Sequence, residues 1–275
     1  MPLTCTRVGT CCHGKMVWLN PWELVRLAAA KDLTPRDFRD QYCEFGGIKL
    51  RFDQHIEGNL FATCSQYVPD FGCSVHEDRP LVCRLYPLGR ERRGKEVQFV
   101  FQGSTFPCLE GCPKVVNLDY LTVREYLDSQ DVATRFTAAD EYLELMQQLA
   151  DGAFALLLES GLAASGDLET LLLWRQLGNH TPDQLTEYIN PEWMDILMLP
   201  DIGDELDNPK TFCQHHHDML QAQAQSLFGN LGNAAEVKEA SGLMMGLALH
   251  LGRGLGANPS DLAEHWIKTA KDLGA

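Results

Sequence analysis

Eight of the ten cysteines in this 275-residue chain fall into three spaced groups. The first is Cys5-Thr6-Arg7-Val8-Gly9-Thr10-Cys11-Cys12, the second is Cys64, Cys73 and Cys83, and the third is Cys108 and Cys112. Thiolates are soft ligands that suit zinc, iron–sulfur clusters and Cu(I). Four thiolates complete a structural zinc site, and four hold one cubane cluster. Eight exceed one such site, which leaves one site with spare thiols, two sites, or a multinuclear assembly. The side chains of Cys11 and Cys12 diverge, so the pair is expected to reach two irons of a cluster, or to send one thiol to metal while the other packs. A disulfide framework is the competing chemistry, but it belongs to small domains in oxidising compartments. A chain this long supports its own hydrophobic core, so grouped thiols read as metal ligands.

Charge around these groups fits the same chemistry. A centre held by four thiolates carries net negative charge, which cationic neighbours offset. Arg79 and Arg84 flank Cys83 and are the candidates for contact with a bound centre, and Arg7 lies inside the first group. Solvated surface arginines are the plainer reading. Arg79-Pro80 reads as a helix entry with Asp78 as its cap, which sets Cys83 about one turn in, where a thiolate is stabilised. His13 and His76 adjoin cluster cysteines and are expected to donate hydrogen bonds, with ligation as the alternative. Cys43 reads as a buried small hydrophobe. Cys213 and His217 form an i, i+4 pair that could hold a metal, against the simpler reading of Cys213-Gln214-His215-His216-His217 as a polar turn. The acidic run 201–207 lacks the calcium-loop pattern. Gly252-Arg253-Gly254-Leu255-Gly256 follows a helix and reads as a turn, not a dinucleotide site.

The elements that must position these residues divide into two kinds. In the N-terminal part, Met16–Leu19 suggests a short strand. Asn20-Pro21-Trp22-Glu23 predicts a helix with a capping box, running to about Lys31. Thr34-Pro35 starts a second helix. Ile48, Leu50 and Phe52 alternate with polar residues, as do Val97, Phe99 and Phe101, which predicts two half-buried strands. Loops make up the remainder of this part and carry the cysteines. The C-terminal part is helical. Tyr142, Leu145, Met146, Leu149, Ala153, Leu156 and Leu157 form one amphipathic stripe. Thr137 with Asp140 is expected to cap its start and Ser160-Gly161 to end it. Further helices are expected over 167–177, from Thr181-Pro182, from Asn190-Pro191, and over 211–228, 234–251 and 259–273. The fold class is therefore α+β and predominantly α: a loop-rich cysteine module at 1–130, then an acidic all-α module at 131–275.

Composition sets the boundary and excludes some functions. Residues 1–112 carry a net charge of +1 and residues 113–275 a net of −16, within a total of −15. That balance argues against a general nucleic-acid surface. No window is long and apolar enough for a membrane span, and the first residues lack a secretory pattern, so the expected setting is the cytoplasm. The expected partner is a protein or peptide. No reaction and no oligomeric state follow from the residues.

The pattern Cys5…Gly9-Thr10-Cys11-Cys12, followed by Cys73-Ser-Val-His-Glu-Asp-Arg79-Pro80-Leu-Val-Cys83-Arg84-Leu-Tyr-Pro87, resembles the YkgJ-like cysteine-cluster family. That family is described as zinc- or iron-chelating, and its leading motif is C-x2-C-x2-C-C. Cys108, Cys112 and the run from Thr122 to Leu127 resemble the family's closing segment. The motif's second cysteine is Val8 in this chain. The family includes the cysteine-rich part of flagellin lysine N-methylases, which by resemblance implies a 4Fe–4S cluster. The resemblance thus implies an iron–sulfur or iron site, with zinc as the alternative, whose ligands lie among Cys5, Cys11, Cys12, Cys64, Cys73, Cys83, Cys108 and Cys112.

Overall fold

The computed structural model describes residues 9, 12–56, 61–94, 96–101, 121–159, 168–202 and 205–275. The architecture is α+β and predominantly helical, with small antiparallel strand pairs confined to the N-terminal region. Contacts divide the chain into two units. One comprises Met1–Val17, Arg26–Glu44 and Lys49–Phe136, and the other Trp18–Val25, Phe45–Ile48 and Thr137–Ala275.

In the first unit, helix α2 (Pro35–Tyr42) starts where Thr34 accepts the Asp37 backbone N–H, with proline in the first turn. Four two-stranded sheets follow. They pair β1 (Cys43–Glu44) with β2 (Lys49–Leu50), β3 (Phe52–Gln54) with β4 (Thr63–Cys64), and β5 (Tyr67–Val68) with β6 (Gly72–Cys73). The longest pairs β7 (Leu88–Arg93) with β8 (Glu96–Phe101). The strand expected over 48–52 is split into β2 and β3, and the one over 97–101 is present but not half-buried: only Phe99 is partly covered, while Val97, Val100 and Phe101 are exposed. Met16–Leu19 does not form a strand. Only Trp18 takes a bridge position, with bonds from Leu50 N to Val17 O and from Leu19 N to Ile48 O beside it. The cysteine region is not all loop, because β4, β5, β6 and helix α3 (Leu81–Leu85) run through it. Asp78 does not cap α3. Pro80 occupies that position, and Asp78 ends a 3₁₀ turn over His76–Asp78. Helix α4 (Val123–Ser129) closes this part with a Thr122–Glu125 capping box.

Helix α1 (Pro21–Ala29) begins as its sequence dictates, since Asn20 Oδ1 accepts from Glu23 N at 3.0 Å and Glu23 Oε2 from Asn20 N at 3.2 Å. Helix α5 (Ala133–Glu159) starts four residues before the expected Thr137 cap, so Thr137 and Asp140 lie inside it. A favourable side-chain pair inside a helix is not a cap when the preceding residues already hold helical bonds, and here Phe136 N donates to Val132 O. The expected stop at Ser160-Gly161 lies outside the described residues. Then come α6 (Glu169–Asn179), α7 (Pro182–Tyr188), α8 (Pro191–Met198), α9 (Pro209–Phe228), α10 (Ala234–Gly254) and α11 (Pro259–Asp272). Asn or Thr caps α7 through α11, with proline in the first turn of all but α10. The core of this second unit holds Trp22, Trp174, Trp193, Tyr142 and Phe212, all essentially fully buried. Trp174 meets Phe154 edge-on at 5.3 Å, and Trp193 stacks on Phe228 at 5.7 Å.

Helix α6 runs through Gly178-Asn179, the expected stop, to His180. Close packing explains Gly178, because a Cβ there would lie 2.5 Å from Ala263 Cβ. The same reason overturns the reading of 252–256 as a turn. Gly252 and Gly254 belong to α10, and only Gly256, at φ +86°, turns the chain. A Cβ on Gly254 would stand 2.7 Å from the Leu19 carbonyl oxygen, whereas one on Gly252 would meet the end of the Leu262 side chain. Backbone cannot give way as a leucine methyl can. Gly254→Ala is therefore expected to cost about 1–3 kcal/mol by overpacking, despite the ~1 kcal/mol helix preference for alanine. Urea denaturation checks this, with Gly252→Ala expected to cost less.

Candidate metal centre

Backbone bonds hold the described residues around the leading cysteines. Cys12 N donates to Gly9 O at 2.7 Å, and Gly14 N donates to Ala62 O at 3.0 Å. Between them His13 forms an antiparallel bridge to Thr63, and His13 Nδ1 lies 2.8 Å from Thr63 Oγ1. Cys12, one residue before that bridge, lies in a 3₁₀ turn. His13 thus serves as a hydrogen-bonding residue. Cys64 is buried, and its cross-strand partner is Phe52.

Tyr67 joins this segment to the next cysteine. It pairs with Cys73 across the β5–β6 hairpin. Its ring lies where a side chain on residue 9 would be, with Cε2 only 2.1 Å from an ideal Cβ, and Gly9 adopts φ +83°. Glycine alone satisfies both conditions. The Tyr67 ring also meets His13 edge-on at 5.5 Å. Cys12, Cys64 and Cys73 thus sit on adjoining pieces of one short-stranded scaffold.

Cys83 follows on α3, three residues beyond Pro80, as the reading of Arg79-Pro80 anticipates. The loop between Cys73 and Cys83 is tied down at several points. Ser74 N donates to Gln66 O at 2.8 Å, and Arg26 Nε contacts Asp78 Oδ1 at 2.7 Å. Arg84 is only 7% exposed and directs its guanidinium to backbone carbonyls: Nε to Arg79 O at 3.3 Å, Nη1 to Gln130 O at 2.6 Å, and Nη2 to Glu77 O. Burial, and then the charge of Arg79, push this guanidinium below its ordinary pKa. Arg79 Nε donates to His76 O at 2.9 Å. Arg135, 2% exposed, converges on the same two carbonyls, with Nε 2.9 Å from Arg79 O and Nη2 3.3 Å from Glu77 O. Tyr126 Oη donates to Tyr86 O at 2.5 Å just beyond α3. Arg135 lies far from the motif in sequence, and only its burial in the fold reveals it. Its signal in the sequence is slight: one arginine in the first turn of an otherwise acidic helix.

Cys5, Cys11, Cys108 and Cys112 lie outside the described residues. Among the described residues no three His, Cys, Asp or Glu side chains gather as a metal-ligand group. The donors that are described still suit a soft metal: three cysteines on neighbouring hairpin and bridge positions, and Cys83 on an anchored helix. Cys43 differs from them. It is 5% exposed, and burial raises its pKa far enough to keep it a thiol.

Cys213 belongs to a closed hydrogen-bond network in the second unit. His216 Nε2 faces Ile196 O at 2.9 Å and must carry the proton, so Nδ1 accepts from Tyr142 Oη at 2.9 Å. Tyr142 in turn hydrogen-bonds Cys213 and the Trp22 backbone. Burial pushes Cys213 up to about 12, which keeps it protonated at neutral pH. The polar run is helical rather than a turn, and its histidines diverge. His216 is fully buried, His215 pairs with Glu205 at 2.8 Å on the surface, and His217 is half-buried. Cys213 is thus linked to His216 rather than to His217.

Residues 4–100 match the family CxxCxxCC, described as "Putative zinc- or iron-chelating domain". This segment is similar to that family. It contains the bond from Cys12 N to Gly9 O, the bridge of His13 to Thr63, the Cys73 hairpin and α3. No curated protein and no solved structure matches the chain.

Two outcomes follow. Arg135→Ala removes two charge-assisted bonds to buried carbonyls, each worth about 1.5–3 kcal/mol, and should lower unfolding free energy by about 2–4 kcal/mol. It should also speed amide exchange over 76–84, and Arg135→Lys should not restore it because one ammonium cannot span both carbonyls. The second concerns pH. Burial lowers His216 to about 4 and His250 to about 3, so the unfolded chain binds protons first. Their stabilisation is complete above the unfolded value of about 6.5 and drains as pH falls toward 4 and then 3, at up to about 1.4 kcal/mol per pH unit for each. Urea midpoints measured across this range should fall with acidification, and a flat profile would contradict the buried neutral assignment.

Proposed function

We propose that the cysteines of the CxxCxxCC-like segment hold an iron–sulfur or iron site that serves redox chemistry or a protein- or peptide-modifying reaction. The observation that carries this reading is the arrangement of Cys12, Cys64 and Cys73 on adjoining backbone-paired segments, joined through Tyr67 and Gly9. With Cys83 these thiols form one part of the ligand set, and Cys5, Cys11, Cys108 and Cys112 complete the candidates. An iron centre at such thiols supplies electron transfer or Lewis acidity when bound. The chain's own residues supply placement, and Arg84 with Arg135 fix the loop between Cys73 and Cys83.

A protein or peptide partner fits the surroundings. Val68 and Phe71 on the Cys73 hairpin and Val82 beside Cys83 are 44%, 57% and 40% exposed. These exposed apolar side chains lie on the segments that carry Cys73 and Cys83, which supports that reading. Among the described residues no helix is long and apolar enough to cross a membrane, and the reading places the protein in the cytoplasm, without nucleic acid as its partner.

A second reading is a zinc-stabilised interaction module, or a carrier or sensor with exchangeable metal. The two-residue strands β4, β5 and β6 favour it. Such short ladders supply little order, and a structural metal supplies it directly. Purification without air, followed by metal and acid-labile sulfide analysis, separates the readings. A brown protein with sulfide supports the iron–sulfur site. A colourless protein with stoichiometric zinc rejects it, and metal that exchanges without loss of fold favours the carrier. Cys83→Ser should lose metal and stability, whereas Cys43→Ser should keep its metal. The reverse pattern would overturn the ligand assignment.

A further inference from the structure

The helical unit contains a buried cation without a counter-ion among the described residues. Arg253, on the last turn of α10, is 9% exposed. Its Nη2 donates to His180 O, 2.9 Å away at the C-terminal end of α6. Its Nη1 is buried with no protein partner among the described residues. No carboxylate among the described residues forms an ion pair with it, and burial alone drives its pKa down, with no acid to oppose the shift. A guanidinium withdrawn from water without a compensating charge costs several kcal/mol.

Two histidines linked to it also carry buried ring nitrogens without a protein partner among the described residues. His250 lies one turn earlier on α10, is 0% exposed, and has no partner at either Nδ1 or Nε2. The charge of Arg253, added to burial, holds its ring neutral, so the ring keeps one N–H donor and one acceptor. His180, whose carbonyl anchors Arg253, also buries an unpartnered Nδ1. Its ring is fixed edge-on against Tyr188 at 6.5 Å. Buried polar atoms are nearly always satisfied, so orphaned atoms on three residues tied to one guanidinium require an explanation.

We propose that Arg253, His250 and His180 form a binding site for a small oxyanion, a phosphate or a carboxylate. A water molecule could meet the orphaned N–H groups, but it would leave the guanidinium charge unbalanced. An anion meets both needs. Its oxygens accept from Arg253 Nη1 and from the His250 N–H, and its charge offsets the buried cation. His180 is half-buried. The residues of the site all belong to the second unit.

The test uses the full chain in a buffer free of phosphate and carboxylates. Inorganic phosphate and acetate are titrated in separate arms at millimolar concentrations, while the ring nitrogens of His250 and His180 are followed by long-range nitrogen–proton spectra. One anion should shift both rings saturably and raise the melting temperature with concentration, as binding to the folded state requires. The arm that saturates at lower concentration identifies the anion class. Arg253→Gln should abolish the anion-dependent stabilisation. His250→Phe removes one hydrogen bond to a charged group and should weaken binding about tenfold. If neither anion moves the two rings of the wild-type protein, the site holds water only and the proposal fails. It fails equally if Arg253→Gln responds to anion as the wild type does. The wild-type spectra decide the matter even if a variant does not fold.

Discussion

Two guanidinium groups share the carbonyl oxygens of Glu77 and Arg79, and the cysteine domain is organised around that convergence. The stretch between Cys73 and Cys83 is a 3₁₀ turn followed by a five-residue helix. Neither element is long enough to hold itself together, because a helical turn gains little until it propagates. Arg84 reaches the turn from α3, and Arg135 reaches it from the first turn of α5. Both cations are buried and donate to main-chain carbonyls, and Asp131 lies 3.9 Å from Arg135 Nη1, so backbone dipoles carry part of the compensation. That arrangement is costly, and it suits a segment whose thiols must face a fixed point.

Much of the helical unit was legible because helix starts are written in short local signals. Thr181-Pro182, Asn190-Pro191 and Pro259 begin helices where those residues stand. Helix ends were harder to read. Glycine reads as a stop at 178 and at 252–254, yet in both places it allows close approach to a neighbouring element. A sequence does not distinguish these uses, since the deciding contact lies far along the chain. The Thr137 cap failed for a related reason: its side chain looks like a start, but the helix already extends past it.

At the cysteine domain the residue types and the family pattern were legible, and so was Cys83 within a short helix. The means of holding them was not. The charge of Arg79 and Arg84 suggested contact with a bound centre, whereas the hydrogen bonds described for both guanidinium groups end on main-chain carbonyls. Arg135 could not be found by spacing, because nothing near it in sequence marks it as part of the domain. At Cys213 the local pattern pointed to its i, i+4 neighbour, and packing selected His216 instead through Tyr142 on a different helix.

The Tyr67 ring occupies the space that a side chain on residue 9 would need. Positions 9 and 67 therefore behave as one structural unit, although 58 positions separate them in the chain. A leading cysteine turn transplanted into another scaffold would arrive without the surface it rests on. Any transferable form of this motif must carry the β5–β6 hairpin with it, or supply another flat ring at the same place.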